Sequence, residues 1–461
     1  MQPEYVGALA QSVEQQTENL CVPGSIPGGT TTKAFRFIGR LFLFIMQKTQ
    51  HILMIGAVWP EPNSSAAGIR TIQLIEQFQK LSWKITFACA AADGEFSVDF
   101  QKYGIKKVSI ELNNSSFDEF IKNLQPTVVL FDRFMIEEQF GWRVAENCPD
   151  ALRLLDTIDL HALRLARQQA FKEKRDFVLE DILDTDVAKR EIASIYRCDL
   201  TLMISTYEMD LLKNFFKIDA DILHYTPFLL DPIEQTKINV WPTFEDRRHF
   251  VTIGNFLHEP NWNSVLYLKE EIWPLIRKQI FDAELHIYGA YASPKANQLH
   301  NPKEGFLIKG RAESAQEIML NARICLAPLR FGAGLKGKLI DAMECGTPSV
   351  TTTIGAESMH GNLEWGGVIS NDAKDFANAA IELYSNESKW IVAQQNGIKI
   401  INHVFDKEKY AKLLFNKINE LQKGLQTHRR KNFIGSVLMH HTISGTKYMA
   451  RWIEEKNKKP L

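Results

Sequence analysis

The sequence predicts an α/β protein made of two doubly wound parallel-sheet domains in series. Three observations carry that expectation. From His51 onward, short apolar runs of strand length alternate with amphipathic helical stretches, the pattern of a parallel sheet with helical crossovers. The series is interrupted once, over 230–248, where Pro232, Pro242 and mixed charges read as a linker, and then it starts again. Late in the second series an apolar run, RICLAPL (323–329), leads into Gly332, Gly334 and Gly337 and then into a helical pattern. Such a strand–loop–helix junction points free backbone amides and the positive end of a helix dipole out of the fold, where an anion is favoured.

Composition bounds the answer. A chain of 461 residues exceeds one ordinary core, so two domains of roughly 150 to 200 residues are expected. The 45% hydrophobic and 24% charged content is that of a globular protein. Lys+Arg 54 against Asp+Glu 55 gives a net charge of −1, which carries no global signature of nucleic-acid binding. Locally the balance differs: over 421–461 nine Lys or Arg stand against Glu454 and Glu455, 9 − 2 = +7. A solvated tail is the plain reading of that segment, and contact with an anionic membrane is the sharper one. Six cysteines without metal-like spacing read as reduced thiols of a cytoplasmic protein. The longest apolar run near the start, FIGRLFLFIM (37–46), is shorter than the ~18 residues of a membrane span and contains Arg40; no small-residue cleavage site follows it. Segment 10–33 has neither strand nor helix period, so residues 1–45 read as a non-native or disordered extension ahead of a natural start at Met46.

The elements follow in order. HILMIGAVW (51–59) is the first strand, followed by the loop 60–68 and a helix beginning near Ile69. The small residues Ser64, Ser65 and Gly68 stand at the carboxyl end of that strand, where open α/β sheets bind ligands, and would let a ligand approach the backbone; a plain turn is the other reading. Strands are then expected at 83–90, 105–111, 127–132, 152–157, 200–206 and 221–227, with helices between them, including a long one over 177–196. These make a first domain over 46–235, followed by a linker over 236–248. A second domain, 249–430, has strands at 249–256, 284–289, 305–310, 323–329 and 348–353, with 366–370 as a further candidate, and is closed by helices over 373–423. In the basic tail, 431–461, the amphipathic stretch TKYMARWIEEKN (446–457) could fold back on the first domain.

The chemistry concentrates after the 323–329 strand. Lys336 and Lys338 lie at the loop–helix boundary and Asp341 falls one turn after Lys338, which puts a phosphate donor and a hydroxyl acceptor on one helix face. That is a pocket for a nucleoside diphosphate. Gly332, Gly334 and Gly337 also fit G-x-G-x-x-G, with Glu357 20 residues beyond the last glycine, the dinucleotide fingerprint of an NAD-dependent oxidoreductase. The motif's late position and the lysines beside it argue against that reading. Asp184-Thr185-Asp186, a D-x-D match, lies in a polar helical stretch and reads as a solvated face, not as metal ligands.

Residues 330–357 as a whole resemble the donor-binding signature of GT-B glycosyltransferases of family 4, the group 1 transferases. Asp341-Ala342-Met343-Glu344-Cys345-Gly346-Thr347-Pro348 is similar to that family's helix carboxylate followed by A-x-x-x-G-x-P. Gly254-Asn255-Phe256 with Pro260-Asn261, Asp159-Leu160-His161 and TTTIGAE (351–357) extend the resemblance over about 50–455. It implies two Rossmann-like domains facing across a cleft, with the C-terminal helix returning to the first. It implies a nucleotide-sugar donor held by Gly254, Asn255, Arg330, Gly332, Ala333, Gly334, Lys336, Gly337, Lys338 and Asp341. It further implies a glycan, lipid-linked or other acceptor reaching in from the Ser64–Ser65–Gly68 side, and catalytic places for His161 and Lys338.

The resemblance also implies retention at the anomeric carbon with no metal and no cofactor, Lys338 and the helix start replacing the cation at the leaving diphosphate. The sequence departs from the family's E-x7-E pair. The second carboxylate is kept, one methylene shorter, at Asp341, and the first falls at Ala333 and is absent. Backbone amides of Ala333 and Gly334 are expected to meet the sugar or phosphate in its stead. The expected function is sugar transfer in cell-surface glycan or polysaccharide synthesis, in the cytoplasm and peripherally at the inner face of the membrane. The alternatives are a non-catalytic sugar-nucleotide-binding protein, a GT-B-like epimerase and, least favoured, the NAD enzyme.

Overall fold

The computed structural model describes residues 50–458, so the expectation for 1–45 lies outside the described residues. Strands β1 (His51–Gly56), β2 (Lys84–Cys89), β3 (Lys106–Ser109), β4 (Val128–Asp132), β5 (Leu152–Asp156), β6 (Leu200–Met203) and β7 (Leu223–Tyr225) form a seven-stranded sheet in the order β3-β2-β1-β4-β5-β6-β7. Strands β8 (Arg248–Ile253), β9 (Leu285–Tyr288), β10 (Phe306–Gly310), β11 (Ala322–Ala327), β12 (Ser349–Thr351) and β13 (Gly367–Ile369) form a six-stranded sheet in the order β10-β9-β8-β11-β12-β13. The strand pairs are parallel; Ile52 of β1, for example, sits beside Ile85 on one side and Val128 on the other. Helices cover both faces of such a sheet, which is why all six residues of β1 are apolar or otherwise buried. Strand order reverses at β1, between β2 and β4, and at β8, between β9 and β11. A crevice opens beyond the carboxyl ends of the strands at each reversal, and both crevices contribute to the site.

The helices that matter for the site are α1 (Ala66–Lys80), α2 (Phe134–Asn147), α3 (His161–Lys172), α4 (Asp186–Arg197), α5 (Thr206–Asn214), α6 (Glu259–Tyr267), α7 (Gly337–Glu344), α8 (Glu387–Val404), α9 (Lys407–Lys431) and α10 (Phe433–Asn457). Helix α1 starts earlier than the sequence suggests because Ser65 caps it, its hydroxyl accepting from the Gly68 amide at 3.1 Å. The long helix expected over 177–196 is broken. A tight turn spans Leu179–Ile182, and Thr185 caps α4 by accepting from Ala188 N at 3.0 Å. Asp184-Thr185-Asp186 is therefore a helix start, with Asp186 paired to Lys189 on the surface.

The chain returns to the first sheet earlier than the tail suggests. Leu414, Ile418, Leu421 and Leu425 of α9 are buried among Ile52, Met54, Val128 and Leu200, so the second domain is closed by helices up to Val404 and not to 423. The two crossings between domains touch: Leu230 N donates to Phe405 O at 3.0 Å and Lys407 N to Leu230 O at 3.2 Å. Helix α10 continues the return along α2 and α4. Asn432 Nδ2 donates to Tyr196 O at 2.8 Å, Lys447 pairs with Glu146 at 2.5 Å, and Glu454 accepts from the amide and hydroxyl of Ser115.

Candidate active site

The carboxyl ends of the two sheets enclose a cavity of about 560 Å³ between them, a size that suits a small-molecule ligand. On the second-domain side, β11 ends at Ala327 and the chain loops back through Gly332 and Gly334 before α7 begins at Gly337. Gly334 has φ +64°, and a Cβ there would lie 2.8 Å from Ile158 O and 2.9 Å from the Asp159 side chain; a Cβ on Gly337 would lie 2.6 Å from that of Ala66. These glycines let the two domains approach each other as closely as they do. The first turn of α7 leaves the Gly337 and Lys338 amides without intrahelical partners, at the positive end of the helix and beside the cavity.

Lys338 and Asp341 line the cavity from α7. Lys338 Nζ donates to Asn261 Oδ1 at 2.9 Å. Burial pulls its ammonium down to about 8, with Cys325 and Asp341 opposing. Burial, with help from Glu344 and against Lys338, pushes the Asp341 carboxyl up to about 7. Both groups still reach solvent through the cavity mouth. Among the described residues the Asp341 carboxylate has no hydrogen-bond partner, and it is free to accept from a ligand hydroxyl. Gly254 and Asn255, at the end of β8, complete this side. Asn255 O accepts from Asn261 Nδ2 at 3.1 Å, and any Cβ on Gly254 would strike the Asn261 side chain at 2.7 Å. Asn261 thus ties the β8 loop to Lys338.

The first domain supplies the opposite wall. His161 is the first residue of α3, and its Nδ1 lies 3.3 Å from an Asp159 carboxylate oxygen and 3.6 Å from Glu191. Burial works against a charged ring, but the Glu191 and Asp159 carboxylates outweigh it and raise the His161 pKa. Glu191 also accepts from the His161 and Ala162 amides at 3.0 and 3.1 Å, capping the helix. Arg164 holds Asp159 at 2.7 Å. Ser64, Ser65 and Gly68 line the cavity as well, though each has a structural task. Ser65 caps α1, Ser64 Oγ lies 3.4 Å from Arg311 Nε, and Gly68 packs against the Glu61 backbone, which a Cβ would approach to 2.5 Å.

Two expectations are corrected. The Gly334 amide does not face the cavity free: it donates to Glu208 Oε1 of α5 at 2.6 Å, a carboxylate brought across from the first domain. Glu208 is fully buried and its Oε2 has no partner; burial and the nearby Asp159 push its pKa to about 8. Arg330 does not line the cavity. Its guanidinium bonds Asn263 at 2.8 Å and lies over the rings of Phe171 and Tyr267, beside a separate groove with Lys172 and Arg175. Glu357, the acidic residue of the disfavoured dinucleotide fingerprint, is engaged elsewhere. It forms a two-pronged pair with Arg167 of α3 at 2.7 and 2.9 Å, and Arg167 also donates to Gly332 O at 2.9 Å. Lys336, buried beside this pair, bonds its own loop at Gly334 O (2.7 Å), and burial lowers its pKa against the pull of Glu357 and Glu208.

The remaining expected positions, Gly332, Ala333, Gly334, Lys336 and Gly337, all border the cavity. So do Arg133, Arg164 and Arg311, which sequence reading passed over. Arg133 and Arg311 each stand one residue beyond a strand, β4 and β10, and that carboxyl-end position was the available signal. Glu208 and Arg167 gave none, since each is one charged residue in an amphipathic helix. Among the described residues, His249, Glu284 and His286 are grouped closely enough to hold a metal ion; they lie near the amino ends of β8 and β9, away from the cavity.

Residues 247–386 match the family model described as Glycosyl transferases group 1. This part of the chain is similar to the group 1 glycosyltransferases. Its boundaries run from the end of the linker through β13 and contain β8, the glycine loop and α7. The two-sheet arrangement around this segment is the GT-B fold. It is shared with sucrose-phosphate synthase from Thermosynechococcus elongatus (17% identity, TM-score 0.59, 81% of this chain and 99% of that one). TarM of S. aureus, solved with UDP among its ligands, gives 10% identity and TM-score 0.61 over 80% of this chain and 100% of that one. HepE of Anabaena, solved with UDP and glucose, gives 11% and 0.59 over 80% and 99%. At these identities the likeness is one of fold. An uncharacterized 44.6 kDa protein in the cps region of Klebsiella pneumoniae is 25% identical over 249 residues. The match takes in 52% of this chain and spans 61% of that relative's length.

Proposed function

We propose that the protein transfers a sugar from a nucleotide-diphosphate donor to an acceptor hydroxyl, with retention at the anomeric carbon and without a metal. The observation that carries the reading is the α7 start, where Lys338, two free amides and an unpartnered Asp341 meet in one cavity closed by the opposite domain. The diphosphate is placed on Lys338 and the amides, and the ribose hydroxyls on Asp341. As the bond between the anomeric carbon and the phosphate oxygen breaks, the charge that develops on that oxygen is met by Lys338. The acceptor oxygen bonds the anomeric carbon on the same face, and its proton passes to the departing phosphate oxygen. No protein nucleophile is needed. His161, held by Asp159 and Glu191, faces the sugar from the first domain.

The acceptor class in this reading is a glycan or a lipid-linked precursor, in cell-surface polysaccharide assembly. The cps-region relative and the UDP complexes among the structural neighbours support it. A cytoplasmic place and peripheral contact with an anionic membrane belong to the same reading, supported by the +7 charge over 421–461. The test is a screen of nucleotide sugars with product analysis. A released nucleoside diphosphate that depends on an added acceptor, with the product's anomeric configuration unchanged and turnover unaffected by chelator, is the expected result. Donor binding with no turnover against any acceptor would favour the non-catalytic binding protein, for which Ala333 speaks.

A further inference from the structure

Helix α10 carries a surface that neither the fold nor the cavity uses. Its 25 residues run about 37 Å along the outside of the first domain. One face is seated: Gly435 and Ala450 are buried, and Thr442 lies 3.5 Å from Arg197 of α4. The other face is open and apolar at both ends. Phe433 is 71% exposed, Tyr448 68% and Trp452 60%, and Ile434, Val437 and Met449 are exposed beside them. At 100° per residue these six fall on one side of the helix, in two clusters about 22 Å apart, with His441 and Ser444 between them. A solvent-facing helix gains nothing in water from three exposed aromatic rings, whereas the boundary between lipid headgroups and acyl chains accommodates such rings with their polar edges outward. Cations flank the stripe. Arg451 lies on the same side of the helix as Phe433 but about 27 Å further along, Lys456 lies over the Trp452 ring at 5.2 Å, Arg430 and Lys431 end the preceding helix, and Glu455, on the same face, is paired with Lys458.

We infer that α10 is the membrane-contacting surface of this protein, lying in the plane of an anionic bilayer with Phe433, Ile434, Val437, Tyr448, Met449 and Trp452 inserted at the headgroup level. The charge pattern selects the occupant. An apolar stripe whose surrounding charges, Arg430, Lys431, Arg451, Lys456 and Lys458 against Glu455, are net positive is complementary to anionic lipid, while a second copy of the same helix would bring like net charges together. The helix is seated on α2 and α4, so docking holds the first domain, which supplies His161 and the cavity wall opposite α7, against the bilayer. Taken with the transfer reading, on which this last step rests, that arrangement favours an acceptor delivered by the membrane itself.

Co-sedimentation of the full chain with vesicles tests the surface without reference to activity. Binding is expected to vesicles containing phosphatidylglycerol, at least tenfold weaker to phosphatidylcholine alone, and to weaken as salt rises. The double variant Phe433→Ser, Trp452→Ser should lose at least tenfold in vesicle affinity with an unchanged melting temperature, because both side chains are exposed. Arg451→Glu with Lys456→Glu should abolish the preference for anionic lipid. Equal binding by wild type and the Ser variant would overturn the inference, as would a concentration-dependent dimer in sedimentation equilibrium that the Ser variant dissolves. Vesicle binding together with failed sugar transfer would leave the surface standing and remove only the transfer reading.

Discussion

Lys338 and Asp341 sit one turn apart on α7, and the same burial shifts their charges in opposite directions. Each is left short of the solvation it would have in water, so a diphosphate and a ribose hydroxyl both offer what the protein withholds. Lys338→Ala should weaken nucleoside diphosphate binding by about 1.5–3 kcal/mol, a charge-assisted contact. Asp341→Asn should weaken nucleosides and spare inorganic pyrophosphate in the same calorimetric titration; equal losses for both ligands would take Asp341 off the ribose. The pH dependence follows with a definite sign. Asp341 becomes an acceptor as pH rises through about 7, and Lys338 loses its charge as pH rises through about 8. Donor affinity should therefore peak between those values, with the alkaline decline missing in Lys338→Ala and the acidic one missing in Asp341→Asn. His161→Ala should lower turnover and leave nucleotide affinity intact; unchanged turnover would remove His161 from the reaction.

At the scale of elements, the glycine loop between β11 and α7 is held from outside its own domain. Glu208 takes the Gly334 amide, Arg167 takes the Gly332 carbonyl, and Glu357 locks Arg167 in place. The loop's conformation and the closeness of the domains are thus one structural event. Glu208 gives this a pH signature. Its carboxyl keeps its proton to about 8 in the folded protein against an ordinary 4.5. The stability tied to that proton is complete below about 4.5 and is lost as pH rises toward 8. Glu208→Gln keeps an acceptor for the amide and cannot ionise, so the decline in melting temperature between those values should flatten; an unaltered profile would contradict the assignment. The loop itself was legible in the sequence, because strand, glycines, lysines and carboxylate are contiguous. Its partners were not, because Glu208 and Arg167 reach it from 126 and 165 residues away and look like ordinary surface charges of amphipathic helices. Arg330 misled for the converse reason: it adjoins the loop in sequence, but the aromatic rings of Phe171 and Tyr267 draw its side chain elsewhere.

At the scale of the molecule, the succession of strands along the chain was readable from apolar runs and Pro-containing breaks, and the parallel two-domain plan with it; the order of strands within each sheet was not. The course of the C-terminal helices was not, since an amphipathic helix does not declare which of two sheets it will cover. Helix α9 belongs to the first sheet, where Leu414 and Ile418 are wholly buried. Leu414→Ala should cost about 2–5 kcal/mol in denaturant unfolding. The paired crossings at Leu230 and Phe405–Lys407 bring both connections between the domains together at one place. Gly334→Val would press a branched side chain into Ile158 and Asp159 at a backbone angle that only glycine adopts easily. An increased radius of gyration in small-angle scattering, with turnover lost, is expected; an unchanged radius with full turnover would show that close approach of the domains is not required.

The central claim is that the cavity at the start of α7 is a nucleoside diphosphate site. Calorimetric titration of a panel of nucleoside diphosphates into wild type and Lys338→Ala measures it directly. The account predicts that at least one nucleotide binds wild type, and that the variant binds it roughly ten- to a hundredfold more weakly. Binding by neither protein, or equal binding by both, would contradict it.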